Sequence, residues 1–282
     1  MQQRQQSGLA RFSAKFLASA AVATLLAAGL GGCQTMADVT GSLTSAKSEP
    51  APEADPQRAV EAYGDRYRAN PKDADMALAY GTALRLNGQR AQAAAVLEQA
   101  CLANPGNKAL LAGWGRALAD NGNFQQAFDV LSRAHTPENP DWRILSVQGT
   151  TLDQLGRHEE AQRYYAAALK IVPGEPSVLS NQGMSYMLSK DLPHAEVSLR
   201  QAYANPKASA KVRQNLGLVV GLQGRFAEAE EIVKADLPPD EAAANVAYLK
   251  EMLKTRDKDS SRPGRDKGGI SRVPLAELNR PD

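Results

Sequence analysis

Glycine recurs at one fixed interval through the middle of this chain: Gly81, Gly115, Gly149, Gly183 and Gly217 stand thirty-four residues apart. Each lies within a stretch of helical apolar spacing, where a glycine costs about 1 kcal/mol relative to alanine. A cost of that size, repeated five times in register, is not an accident of composition. Ala93, Ala127, Ala161, Ala195 and Ala229 keep the same beat, as do Gly88, Gly122, Gly156 and Gly224. Larger side chains follow it too: Leu84, Leu118, Leu152, Tyr186 and Val220 share one offset, and Leu97, Leu131, Tyr165, Leu199 and Val233 another. Such a chain is built from stacked copies of one small unit, each burying its apolar face only against its neighbours.

One copy shows what the unit is. Trp142 to Leu155 is predicted to be an amphipathic helix with Leu145, Gly149 and Leu152 on one stripe. Gly156 ends it, since glycine tolerates the left-handed backbone of a helix C-terminus. A second helix is predicted from His158 to Ile171, carrying Ala161, Tyr165 and Ala168, and Pro173 stops it. The small pair Gly149 and Ala161 would let the two antiparallel helices approach closely. Helical hairpins of this length with small residues at these offsets resemble the tetratricopeptide repeat. The fold expected is therefore all-α, a tetratricopeptide-repeat superhelical solenoid of about five repeats plus capping helices.

The repeats fall near 74–107, 108–141, 142–175, 176–209 and 210–243. Asn70-Pro71, Asn104-Pro105, Val172-Pro173 and Asn205-Pro206 punctuate the ends of second helices, with Pro140 one place late. Lys190 replaces the turn glycine in the fourth unit, and Pro193 suits the first turn of the helix that follows. A helix over Pro56–Ala69 precedes the array and would cap it. Another, from Asp240 to Lys254, closes it, with Asp240 as N-cap.

The ends of the chain carry separate signals. Arg4, Arg11 and Lys15 precede an apolar run from Phe16 to Leu30, too short to span a membrane comfortably, which reads as a secretory signal. The run ends in Leu30-Gly31-Gly32-Cys33, which resembles a bacterial lipobox. That resemblance implies that Cys33 is lipidated and becomes the first residue, with several acyl chains giving stable anchorage. Gln34 follows, where an aspartate would favour inner-membrane retention, so the expected location is the periplasmic face of the outer membrane in a Gram-negative bacterium. The expected organisation is a signal peptide at 1–32, a flexible tether at 33–55, the repeat domain at 56–254 and a disordered basic tail at 255–282.

Charge, cysteine and histidine usage exclude more than they suggest. The net charge of +2 comes from the leader and the tail, leaving the repeats acidic. That is a poor platform for nucleic acid. With Cys33 committed to lipid, Cys101 has no intramolecular partner and reads as a small apolar packing residue. His135, His158 and His194 lie near helix ends, outside any H-E-x-x-H pattern, and no G-x-S-x-G, Walker or Rossmann pattern appears. No catalytic residue, metal site, cofactor or small-molecule substrate is expected.

What remains is a surface. In tetratricopeptide arrays the first helix of each unit lines an inner groove. By that resemblance Asn181 and Asn215, which share one offset, are candidates to bond a bound peptide backbone, or else to satisfy the adjacent helix. Met184, Met187 and Leu188, with Leu218 and Leu222, form a candidate apolar strip in the C-terminal half of the groove, or else plain core. The lysine and asparagine that clamp carboxylates in chaperone-binding arrays are missing, since Leu78 and Thr82 stand there.

A narrower resemblance rests on particular segments. Asp141-Trp142-Arg143-Ile144-Leu145, Leu152-Asp153-Gln154-Leu155-Gly156-Arg157-His158-Glu159-Glu160-Ala161 and Val212-Arg213-Gln214-Asn215-Leu216 are among them. Gly221-Leu222-Gln223-Gly224-Arg225-Phe226 and the stretch from Ala235-Asp236-Leu237-Pro238-Pro239 to Asn245-Val246-Ala247-Tyr248-Leu249 complete it. Together with the leader they look like the TadD family, lipoproteins of the tight-adherence (Tad/Flp) pilus system. The resemblance implies a non-enzymatic assembly factor anchored in the outer membrane. Its partners would be proteins of the pilus and secretion machinery, the secretin being one candidate. Another periplasmic lipoprotein adaptor, for outer-membrane protein assembly or for docking a cell-wall enzyme, is the alternative.

Overall fold

The computed structural model describes residues 55–260, with side chains to residue 255. The leader, Cys33, nearly all of the tether and most of the tail lie outside the described residues. The described part is all-α. Its helices are α1 (Pro56–Ala69), α2 (Ala74–Leu86), α3 (Arg90–Ala103), α4 (Lys108–Asp120), α5 (Phe124–Ser132), α6 (Trp142–Gln154), α7 (His158–Ile171), α8 (Pro176–Leu188), α9 (Leu192–Tyr203), α10 (Ala210–Leu222), α11 (Phe226–Val233) and α12 (Pro239–Ser260). The first helices α2, α4, α6, α8 and α10 each begin thirty-four residues after the last, and so do the second helices α3 to α11.

Local chemistry fixes where each first helix starts and stops. Asp73, Asn107, Asp141 and Glu175 stand at one offset, and each side chain accepts a hydrogen bond from a backbone N–H of the first turn. These caps satisfy donors that the helix itself leaves free. At the other end, backbone bonds from Gln89 to Leu84, Asn123 to Leu118, Arg157 to Leu152, Asp191 to Tyr186 and Arg225 to Val220 close the same turn five times, at 2.8–3.2 Å. This closure needs a left-handed residue just before the donor. Glycine supplies it in four units, and Lys190 adopts it in the fourth with φ 68°.

The repeating glycine is where the two helices of a unit meet, but its partner is larger than the small-small pairing of Gly149 with Ala161 suggests. A Cβ on Gly149 would lie 2.6 Å from the Tyr165 ring, and on Gly81, Gly115, Gly183 and Gly217 it would lie 2.5–2.6 Å from Leu97, Leu131, Leu199 and Val233. The glycine is therefore a socket for the large residue of the second helix. The periodic alanine completes it: the Ala195 carbonyl oxygen would be 3.0 Å from a Cβ on Gly183.

Each first helix also packs on the first helix of the next unit, whereas successive second helices make no comparable contact. The first helices thus line the inner side of the array and the second helices its outer side. α12 packs on both α10 and α11 and takes the place of a further unit. It begins at Pro239, with Pro238 O accepting from Ala242 N at 2.9 Å, so Asp240 sits in the first turn rather than at the cap. Proline is favoured at the first helical position because its missing N–H is not needed there. The helix then runs past Lys254 to Ser260.

Two second helices are short. α5 stops at Ser132 where α7 runs to Ile171; Pro137 has no N–H to give the Arg133 carbonyl and its ring would clash with it, so the helix cannot continue through there. A bridge between Thr136 and Asn139 replaces the missing turns, and Lys108 Nζ donates to the freed Arg133 carbonyl at 2.6 Å.

Candidate functional site

The inner face is read most simply from two positions on each first helix, the fifth and the sixth, which meet across units. In the first two units the contact is apolar: a Cβ on Gly113 of α4 would lie 2.6 Å from Leu78 of α2. In the last two it is polar. Asn181 Nδ2 of α8 donates to Ser146 Oγ of α6 at 3.2 Å, and Asn215 Nδ2 of α10 donates to Ser180 Oγ of α8 at 3.0 Å. Both asparagines are half-buried, and both serines are buried. The structure therefore places the amide nitrogens in the joints between units. Each Oδ1 accepts no hydrogen bond from the described residues.

One turn further along these helices lies the apolar strip. Met184 on α8 and Leu218 on α10 share an offset, as do Leu188 and Leu222, and α8 packs directly on α10. Leu188 and Leu218 are exposed, at 38% and 36%, while Met184 and Leu222 are half-buried. Met187 differs. It packs with Tyr186, Leu192, Ile232 and Val246 against the buried cluster around Leu199 and Leu216, so its side chain belongs largely to the core.

The N-terminal half of the same face carries charge that sequence reasoning passed over. Arg85 of α2 and Asp120 of α4 form an ion pair, Nε to Oδ2 at 2.7 Å, with both side chains more than nine-tenths buried. Arg116 of α4 shares the offset of Met184 and Leu218 and is only 4% exposed. Its Nε and Nη2 are sealed from solvent with no hydrogen-bond partner among the described residues. Burial, together with the neighbouring Arg85, lowers its pKa to about 10, which leaves it charged at neutral pH. The signal that was available is the offset itself: arginine stands where the fourth and fifth units have Met184 and Leu218.

Between the halves sits a buried carboxylate that gathers side chains from two further helices. Asp153 at the end of α6 accepts from Ser185 Oγ at 2.7 Å and Tyr165 Oη at 2.9 Å, and its Oδ1 lies 2.8 Å from His158 Nδ1. Burial raises its pKa despite these bonds, and burial also holds the Tyr165 phenol well above its ordinary range. The group ties α6, α7 and α8 together. On the outer helices, Glu196 takes hydrogen bonds from Arg225, Arg200 and Gln223, which depress its pKa to about 2.

Other chemistry is sparse. His194 pairs with Asp191 at the exposed start of α9. His135 lies beside the two clefts, of about 250 and 560 Å³, that flank the loop after α5. Cys101 is a free thiol, half-buried, raised to about 11 mainly by that burial. No group of metal-ligating side chains occurs among the described residues, and no helix among them is long and apolar enough to cross a membrane.

The tetratricopeptide repeat family model matches residues 53–107, 84–141 and 146–211, over half of the chain. The chain belongs to the tetratricopeptide repeat family, whose arrays are protein-interaction scaffolds. No curated protein matches it. Among solved structures it is similar to PilW, described as a widely conserved type IV pilus biogenesis factor. That match has a TM-score of 0.61 and 18% identity, covering 68% of this chain and 91% of the other. A chain of the APC/C hetero-tetramer Cut9-Hcn1 matches with a TM-score of 0.59 and 18% identity, over 73% of this chain and 41% of that one. A tetratricopeptide repeat protein from Parabacteroides merdae matches with a TM-score of 0.57 and 14% identity, over 71% and 77%. At these identities the likeness is one of fold.

Proposed function

We propose that this chain is a non-enzymatic scaffold, lipid-anchored through Cys33 to the periplasmic face of the outer membrane, that docks protein components of a Tad/Flp-type pilus machine. The observation that carries the reading is the pairing of a lipobox-like leader with a repeat array whose third to fifth units resemble TadD segment by segment. The strip of Leu188 and Leu218 supports it, since exposed apolar side chains on two packed first helices give a partner apolar contact on the inner face. The unused Oδ1 atoms of Asn181 and Asn215 can accept backbone N–H groups from a segment lying on that strip. PilW contributes a precedent of fold.

Deleting the gene is expected to remove surface pili, counted by electron microscopy; a normally piliated deletion strain would overturn the reading. Cys33→Ser is expected to shift the protein from the membrane to the soluble periplasmic fraction. Unchanged fractionation would refute the anchor while leaving the scaffold intact.

A further inference from the structure

Arg116 is the least explained side chain of the array. A guanidinium with two nitrogens sealed from water and unpaired is costly, and in folded proteins such groups await an ion, a water or a partner. The nearby acids favour its charge through space but do not hydrogen-bond it. Asp120 bonds Arg85 at 2.7 Å, and Asp141 accepts from the backbone N–H of Arg143 at 2.7 Å to cap α6. Arg143 adds a third cation, with its Nε also buried and unpaired and its guanidinium 4.5 Å from the centre of the Trp142 ring. Three arginines therefore face two carboxylates, both already engaged. The excess lies on the inner face, with Nη1 the one nitrogen of Arg116 not sealed.

We propose that the N-terminal half of the inner groove is a carboxylate receptor, in which Arg116 holds an acidic side chain of the partner segment whose apolar residues lie on the Leu188–Leu218 strip. The proposal rests on the reading of the groove as a peptide-docking surface. An incoming carboxylate meets Arg116 at Nη1 and bonds a guanidinium to which the fold gives no hydrogen-bonded acid, so the interaction is charge-assisted in a desolvated setting. The repeat sets the spacing. α4 packs on α6 and α6 on α8, and packed helices lie about 8–10 Å apart, which puts Arg116 roughly two such steps from the strip. An extended segment advances about 3.3 Å per residue, so the acidic residue and the apolar pair are about five or six residues apart.

The test uses the full-length chain in detergent and its Arg116→Met variant. A random dodecapeptide library displayed through the peptide C-terminus, and so without free carboxyl ends, is selected on each. On the wild type, selected peptides are expected to share Asp or Glu about five or six positions from an apolar pair. The best of them is expected to bind Arg116→Met about tenfold more weakly or worse. Arg116→Met is also expected to unfold at a higher temperature, by about 3 °C or more, because a buried unpaired charge is removed. Apolar peptides with no acidic preference, or the same preference on Arg116→Met, would overturn the receptor and leave the docking groove standing. Binding only by peptides synthesised with a free C-terminal carboxylate would overturn the assignment to a side chain. A drop in melting temperature would show that Arg116 has a structural partner and refute the proposal. Failure to select any peptide would remove the docking reading along with it.

Discussion

The two halves of this array invert one another. From α1 through the first two units to α6 a single apolar cluster runs from Val60 to Val147, and Arg85, Arg116 and Asp120 are buried beside it. From the third unit on, the buried apolar residues divide into separate clusters, and polar groups such as Ser146, Gln148, Thr151, Asp153, Ser180 and Ser185 enter the interior. There the inner face exposes Leu188 and Leu218 beside the asparagine joints. The same helical hairpin thus buries charged groups beside an apolar core in one half, and packs a hydrogen-bonded interior beneath exposed leucines in the other. What the difference teaches is that the repeat fixes geometry alone. Which positions are polar is decided unit by unit, by what each face must meet.

The strongest way to break this comparison is at the two buried carboxylates. Asp120 serves a buried charge, so Asp120→Ala or Asp120→Asn strands Arg85 and is expected to cost about 3–5 kcal/mol in urea unfolding. Asp153 serves a serine and a tyrosine hydroxyl and a histidine, and its own charge is disfavoured by burial. Asp153→Asn keeps an acceptor and is expected to cost about 1 kcal/mol. Equal losses would show that the two halves are held together in the same way.

The acid limb of stability separates two groups of the second half. Glu196 is depressed from an ordinary value of 4.5 to about 2, so the stability it contributes is complete above 4.5 and is lost as pH falls toward 2. Asp153 runs the other way. With its folded pKa raised, the folded chain holds the extra proton, and its contribution is complete below 3.8 and lost as pH rises through its raised folded value. Carboxyl-carbon NMR titration is expected to find Glu196 near 2 and to see it move up toward 4.5 in Arg225→Ala. An unmoved midpoint would mean that Arg200 and Gln223 suffice.

The Asn joints come next. Asn215→Ala removes the donor to the buried Ser180 hydroxyl and is expected to cost about 1 kcal/mol. A smaller correction concerns the turns. Lys190 holds a left-handed backbone that glycine holds in the other units, and Lys190→Gly is expected to raise stability by about 0.5–1 kcal/mol in thermal melts. No gain would mean that the Lys190 side chain offsets its own strain.

How much of this could be read beforehand depends on what a residue's meaning rests on. The glycine and alanine periods state a close approach within one hairpin, so helix order and turn positions follow from them directly. Lys190 in the turn was visible as a break in the period, and its left-handed φ is the physical result. Arg85 and Arg116 were not visible in that way. An arginine on a helix reads as a solvated face, and only the packing of α2, α4 and α6 shows that these two are covered. Asp153 was hidden for the same reason: its donors come from α7 and α8, and no local pattern announces them. Asn181 and Asn215 stand out by their shared offset, which a joint and a binding position satisfy equally well.

The smallest effect on stability tests the function of the C-terminal half. Leu188 and Leu218 are exposed, so replacing both with serine is expected to change unfolding by less than about 0.5 kcal/mol. Met187, the residue before Leu188, packs against the core, and Met187→Ser is expected to cost about 2 kcal/mol or more. If the strip is a docking surface, the double leucine variant accumulates at wild-type levels yet fails to restore pili in a deletion strain. Met187→Ser fails only to the extent that the protein is lost. Full complementation by the double variant would mean that the apolar surface is incidental, and that any partner is held from the charged half alone.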